Sequence, residues 1–246
     1  MATLRDRVAL VTGGSRGIGA AIANRLAAEG AAVAITYTSS KERADEIVRA
    51  IEAGGGRALA VRADSGDAEA VRGAVAETAE QLGRLDVLVN NAGIARFAPV
   101  EELTVAQFDE IVAVNVRAVF VAAQEAARRM GEGGRIITIG SVNAERMPIA
   151  GGSIYAMSKA AVAGLTRGLT RDLGPRGITV NVVQPGPVDT DMNPADGPFA
   201  QLLLPTLAIP RYGRAEEIAA MVAYLASPEA GYVTGAALMI DGGFAA

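Results

Sequence analysis

Along the chain, short apolar runs rich in Val, Ile and Ala alternate with longer stretches in which apolar residues recur every three or four positions. The runs predict strands at Arg7–Val11, Ala32–Thr36, Arg57–Val61, Val87–Asn90, Arg135–Ile139, Thr179–Val183 and Ala237–Ile240. Such nearly continuous apolar strands suit a parallel sheet covered on both faces, and the intervening helical stretches supply its crossovers. Helices are predicted after the first strand to about Glu29, from about Ala68, from Thr104 to about Met130, through Tyr155 and Lys159 to about Gly174, and over Ala215–Ala226. No repeat, linker or low-complexity segment breaks the alternation. The prediction is one α/β domain over residues 1–246, doubly wound around a seven-stranded parallel sheet.

Composition narrows the chemistry. The chain has no Cys and no His. Disulfides, thiolate nucleophiles, Ser-His-Asp triads and His/Cys zinc sites are therefore excluded, and no metal is expected. The net charge is −4 with no basic block, which gives nucleic-acid binding no electrostatic support. No run of about 18 apolar residues occurs, and the opening MATLRDRVAL lacks the apolar core of a signal peptide. A soluble, cytoplasmic protein without a membrane or nucleic-acid partner is expected.

The first strand runs into Thr12-Gly13-Gly14-Ser15-Arg16-Gly17-Ile18-Gly19 and then an Ala-rich helix. Glycines let a backbone approach a pyrophosphate closely, and the helix N-terminus presents N–H groups and the positive end of its dipole to the anion. The expected fold is thus Rossmann-type, with a dinucleotide on this turn.

Further on, Tyr155 and Lys159 stand four residues apart, on one face of a predicted helix, with Ser141 upstream. Only two of the 23 basic residues are Lys, so an ammonium here is a departure from the chain's habit of using Arg. An ammonium held beside a phenol favours the phenolate and draws its pKa toward the working range, which would make Tyr155 a general acid and base. A solvated Lys beside an ordinary helical Tyr is the competing reading.

These residues resemble the catalytic Ser and Tyr-x-x-x-Lys of the short-chain dehydrogenase/reductase family, and the glycine turn resembles that family's Thr-Gly-x-x-x-Gly-x-Gly. The resemblance covers essentially the whole chain. It implies that Ser141 donates to a substrate oxygen, Tyr155 transfers the proton, and Lys159 holds the nicotinamide ribose and tunes Tyr155. It implies a fourth catalytic residue, Asn115, positioning a water that relays protons to Lys159, although a helix-surface position would also explain this Asn. The fourteen-position interval from Ser141 to Tyr155 is slightly longer than the family's usual one.

Around the cofactor, the resemblance implies roles for Gly13, Ser15, Arg16, Gly17, Ile18 and Gly19, for Asp64 and Ser65 at the adenine, and for Asn91, Ala92 and Gly93 of Asn90-Asn91-Ala92-Gly93. It implies further roles for Pro185, Gly186, Val188 and Thr190 at the nicotinamide end, where a simple turn is the competing reading. Asp64, Ser65 or Asp67 could equally cap the next helix. No acid follows the second strand. Arg16 with Ser39, Ser40 and Lys41 could instead hold a 2′-phosphate, which predicts NADP(H).

Residues of about 190–212, rich in Pro and Leu, read as a substrate lid with an apolar inner face. Family habit suggests self-association, a homotetramer first and a dimer next. The expected activity is NADPH-dependent hydride transfer to a small carbonyl or a 3-oxoacyl thioester, with Arg128, Arg129 and Arg176 available to dock an acidic carrier protein. The alternative is a regulatory nucleotide binder, a cyclic di-GMP or NADPH sensor. Arg146-Met147-Pro148 and Asn193-Pro194-Ala195-Asp196-Gly197-Pro198 look similar to a bacterial biofilm-dispersal subgroup associated with cyclic di-GMP.

Overall fold

A computed structural model describes residues 3–246; Met1 and Ala2, at the start of the stretch read as lacking a signal-peptide core, lie outside the described residues. Seven parallel strands form one sheet: β1 (Val8–Val11), β2 (Ala32–Tyr37), β3 (Ala58–Arg62), β4 (Val87–Asn90), β5 (Arg135–Ile139), β6 (Thr179–Pro185) and β7 (Ala237–Ile240). Their spatial order is β3-β2-β1-β4-β5-β6-β7. The order reverses between β1 and β4, and the crevice at the carboxyl ends of these two strands is where open α/β sheets bind ligands.

All seven strands fall where the apolar runs placed them, with β1 starting one residue later, β3 shifted one residue later, and β2 and β6 extended at their carboxyl ends. β1, β4, β5 and β6 are buried along their whole length, as strands covered on both faces must be, whereas the edge strand β7 is partly exposed. The helices α1 (Gly17–Ala28), α2 (Lys41–Ala53), α3 (Ala68–Leu82), α4 (Val105–Val112), α5 (Ala118–Arg129), α6 (Ser153–Leu173), α7 (Ala200–Leu203) and α8 (Ala215–Ala226) complete the chain. One core layer joins the sheet to α1, α2 and α8 through Ile22, Leu26, Ile51, Ile218 and Val222. The opposite layer uses Val71, Val75, Val121, Ala122 and Leu173 of α3, α5 and α6.

The helix expected from Thr104 to Met130 is two helices joined by a wider π-helical turn at Ala113–Arg117. Thr104 starts it with a reciprocal cap: its Oγ1 accepts from the Gln107 N–H, and Gln107 Oε1 accepts from the Thr104 N–H at 2.9 Å. At α3 the cap is Asp67, whose carboxylate accepts from the Glu69 N–H at 2.9 Å. Asp64 instead accepts from the Gly66 N–H at 2.9 Å and makes a tight turn before the cap.

Candidate active site

The glycine turn is built for close approach. Gly13 sits at φ 64 and Gly17 at φ 52, a left-handed conformation that side chains resist. A Cβ on Gly19 would lie 2.4 Å from the Gly13 carbonyl oxygen and 2.5 Å from Asn91 Nδ2, so only glycine lets α1 abut the turn. Side chains brace the turn from behind. Asn91 Nδ2 donates to the carbonyls of Thr12 and Gly13, both at 3.0 Å, and Thr36 Oγ1 accepts from the Gly13 N–H at 2.9 Å. Thr12 Oγ1 accepts from the N–H groups of Asn91 and Ala92 at 3.0 and 3.1 Å. Asn91 thus supports the cradle with its amide. Thr12, which opens the motif but had no role assigned from sequence, and Thr36, which lies outside it, are its other supports.

The first turn of α1 carries no acidic residue, and its leading N–H groups lie beyond the reach of intrahelical acceptors, as at any helix start. A glycine-rich turn followed by a helix N-terminus fits a pyrophosphate. Ala92 joins Thr12, Ser65 and Val114 in lining a recess beside it. Arg16 is exposed, its side chain without a hydrogen bond or ion pair among the described residues, and Ser39 and Ser40 lead into α2 next to β2. Lys41 pairs with Asp45 one turn along α2 at 2.7 Å and is well exposed.

On the other side of the crevice, β5 ends at Ile139 and delivers Ser141, while α6 presents Tyr155 and Lys159 one turn apart. Ser141 is buried, and its Oγ accepts from the Asn143 N–H at 3.1 Å. Lys159 is buried, donates to the Ile139 carbonyl at 3.0 Å, and stands 5.8 Å from the centre of the Tyr155 ring. Burial lowers the Lys159 amine from 10.5 to about 8.

Tyr155 behaves differently from the expected drop. Its ring is only partly open to solvent, and desolvation pushes the phenol above its ordinary value, with the nearby Ser141 hydroxyl pulling the other way. The amine sits beside the ring and is tied to Ile139, so its field does not overcome the cost of a buried phenolate.

Asn115 lies within the π-helical turn and is buried. Its Oδ1 accepts from the Ile94 N–H at 2.9 Å, and its Nδ2 donates to the Ile94 carbonyl at 2.9 Å and to Ser158 Oγ at 3.0 Å. Ser158 in turn donates to the Tyr155 carbonyl at 2.8 Å. Asn115 therefore ties the loop following β4 to the turn of α6 that carries Tyr155. Ser158 is a link that motif spacing did not expose, although its place between Tyr155 and Lys159 was a hint. A Cβ on Gly93 would lie 3.4 Å from Asn115 Oδ1 and 3.5 Å from Lys159 Nζ, so this glycine keeps the space between them free.

At the carboxyl end of β6, Pro185 closes the strand and Gly186 packs where a Cβ would meet the Asp241 backbone at 2.7 Å. Val188 is buried and bridges to Gly213, and Thr190 faces Gly17, where a Cβ would lie 3.5 Å from Thr190 Cγ2. The segment after it packs Ala200, Leu207 and Tyr212 against Val142 and Phe244. Phe97 stands 5.7 Å from the Tyr155 ring and 6.1 Å from that of Phe199, both tilted.

A family model described as enoyl-(acyl carrier protein) reductase, of the short-chain dehydrogenase type, matches residues 13–245. The chain belongs to the short-chain dehydrogenase/reductase family. The cyclic-di-GMP-binding biofilm dispersal mediator protein of Escherichia coli K12 is 51% identical over 246 residues, covering 100% of both chains. A 3-oxoacyl-[acyl-carrier-protein] reductase of Staphylococcus aureus is 41% identical over 239 residues, covering 96% of each. Among solved structures, a short-chain dehydrogenase of Burkholderia cenocepacia J2315 in complex with NADP superposes with a TM-score of 0.98 at 58% identity, covering 99% of this chain and 100% of that one.

Proposed function

We propose that the protein is an NADP(H)-dependent oxidoreductase that reduces a small ketone or aldehyde to its alcohol. One observation carries this reading: Tyr155, Lys159 and Ser141 converge at the carboxyl edge of the sheet beside a glycine-rich phosphate cradle. The relatives crystallised with NADP and NADPH support the cofactor assignment.

NADPH would supply a hydride for the carbonyl carbon. Gly13, Gly17 and Gly19 would admit its pyrophosphate, and Arg16, Ser39 and Ser40 would take the 2′-phosphate. Ser141 donates a hydrogen bond to the substrate oxygen, and Tyr155 gives that oxygen its phenolic proton as the alcohol forms. The raised Tyr155 pKa keeps the phenol protonated at neutral pH, as reduction requires. Lys159, still largely cationic at neutral pH, stabilises the phenolate left behind. Asn115 and Ser158 hold Tyr155 and Lys159 in register, and the space beside Gly93 leads to Lys159 for proton return.

The partly exposed Phe97 beside Tyr155, with Phe199 against Phe97, favours a substrate with an apolar or aromatic arm, covered by residues 190–212 acting as a lid. A carrier-bound thioester has less support. Arg128 and Arg129 pair with Glu125, at 3.2 and 2.7 Å, and Arg176 donates to the carbonyls of Ala127 and Met130, at 2.7 and 2.6 Å. Self-association, as a tetramer or else a dimer, is the reading for Val105, Phe108 and Phe120, exposed on α4 and α5, and for the exposed Tyr232. No helix among the described residues is long and apolar enough to cross a membrane.

The deciding experiment follows NADPH oxidation against a panel of aryl ketones, aliphatic ketones and 3-oxoacyl thioesters, beside calorimetry with cyclic di-GMP. Turnover of an aryl ketone that disappears in Tyr155→Phe is expected. Tight cyclic di-GMP binding without turnover of any carbonyl would replace the enzyme with a regulatory nucleotide binder.

A further inference from the structure

Arg43, in the first turn of α2, pairs with Asp191 at 2.7 Å, although 148 residues separate them. The strand order makes this contact informative. α2 follows β2 and Asp191 follows β6, with β1, β4 and β5 lying between the two strands. At about 4.8 Å per strand, the carboxyl ends of β2 and β6 are on the order of 19 Å apart, too far for side chains to bridge directly. The chain leaving β6 therefore turns back over the ends of the central strands. Thr190 marks the path, resting where a Cβ on Gly17 would be 3.5 Å from its Cγ2.

The pair thus crosses the crevice at the topological switch point, above the glycine cradle. Neither side chain has another partner among the described residues, and both are more than half exposed, at 52% and 62%. An ion pair so exposed adds little to folding stability. Its position, rather than its strength, gives it a role: it fastens the α2 side of the nucleotide seat to the root of the 190–212 segment.

We propose that Arg43 and Asp191 form a clasp across the crevice that retains a bound nicotinamide dinucleotide and must open for it to leave. This rests on the dinucleotide reading above. The clasp acts on either dinucleotide, since it spans the groove and does not depend on the 2′-phosphate. Arg43 and Asp191 are positioning residues and take no part in hydride or proton transfer.

The test is stopped-flow release of NADPH and of NADH, read by nicotinamide fluorescence, from wild type, Arg43→Asp, Asp191→Asn and the exchanged pair Arg43→Asp/Asp191→Arg. Each single variant should release both dinucleotides about fivefold faster, the limit for an exposed pair, and the exchanged pair should return to within about twofold of wild type. Amide hydrogen exchange of residues 190–212 in the cofactor-free protein should rise in the singles and fall back in the exchanged pair. If Arg43→Asp speeds release of NADPH alone while Asp191→Asn slows it or leaves it unchanged, Arg43 is a phosphate ligand and the clasp is wrong. Failure of wild type to bind either dinucleotide would remove the cofactor reading and the clasp with it. Normal binding with unaltered release in both singles would remove the clasp alone.

Discussion

The two halves of the crevice are built in opposite ways. On the catalytic side, Ser141, Asn115, Ser158 and Lys159 are all buried, and each polar group is tied to backbone or to a neighbour. On the nucleotide side, Arg16 and Ser39 are exposed, and Arg16 has no side-chain partner among the described residues. The contrast follows from what each half must do. Proton transfer needs donors fixed in place before the substrate arrives, in a low-dielectric setting. A phosphate brings its own charge and can organise flexible side chains as it binds.

Substitutions should separate the halves. The largest effect is expected for Tyr155→Phe, which removes only the transferable proton: turnover should fall about 10³-fold in steady-state assays, with NADPH affinity by fluorescence titration unchanged. A residual rate within tenfold of wild type would remove Tyr155 from its role.

Next comes Lys159→Met, expected to cut turnover about 10²-fold while raising thermal stability. The folded pKa of about 8 lies below the ordinary 10.5, so holding the ammonium buried costs about 3 kcal/mol below pH 8. The unfolded chain binds the extra proton between these values, so the cost fades as pH rises through that window. The stabilisation measured for Lys159→Met should therefore be largest at neutral pH and vanish above about 10.5. For the wild type, reductive turnover should decline as pH rises through about 8, where Lys159 loses its charge.

Asn115→Ala should be intermediate. It strands the Ile94 N–H and carbonyl and loosens the tie to Ser158, so a stability loss of about 1–3 kcal/mol in urea titrations should accompany a roughly tenfold drop in turnover. Equal stability would mean that the three hydrogen bonds do not hold the π-helical turn. The smallest effect belongs to the open half. Arg16→Ala should raise the Michaelis constant for NADPH about tenfold and leave that for NADH nearly unchanged, the worth of one charge-assisted contact.

The same contrast governs what could be read from sequence. Strand positions were legible because buried parallel strands demand unbroken apolar runs, and Val87–Asn90 or Arg135–Ile139 offers little else. The Tyr155 and Lys159 pair was legible because helical spacing alone puts them on one face. The π-helical turn at Asn115 was not, since its Ala, Val and Arg neighbours suit an ordinary helix equally well. The rise in the Tyr155 pKa was hidden too, because it depends on how deeply Lys159 and the phenol are buried, which spacing does not report. Arg43 and Asp191 meet only through the return of the chain over the sheet.

The wide turn at Ala113–Arg117 also sets how this protein tolerates change in length. An α-helix advances about 100° per residue. The wide turn holds one residue more than regular winding would, so removing one residue there restores regular winding and leaves the downstream helix in phase. Val121 and Ala122 would keep their place in the core and Phe120 its outward station. Other insertions and deletions should be accepted in the loops at either end of the stretch from α4 to α5 long before they are accepted in its middle.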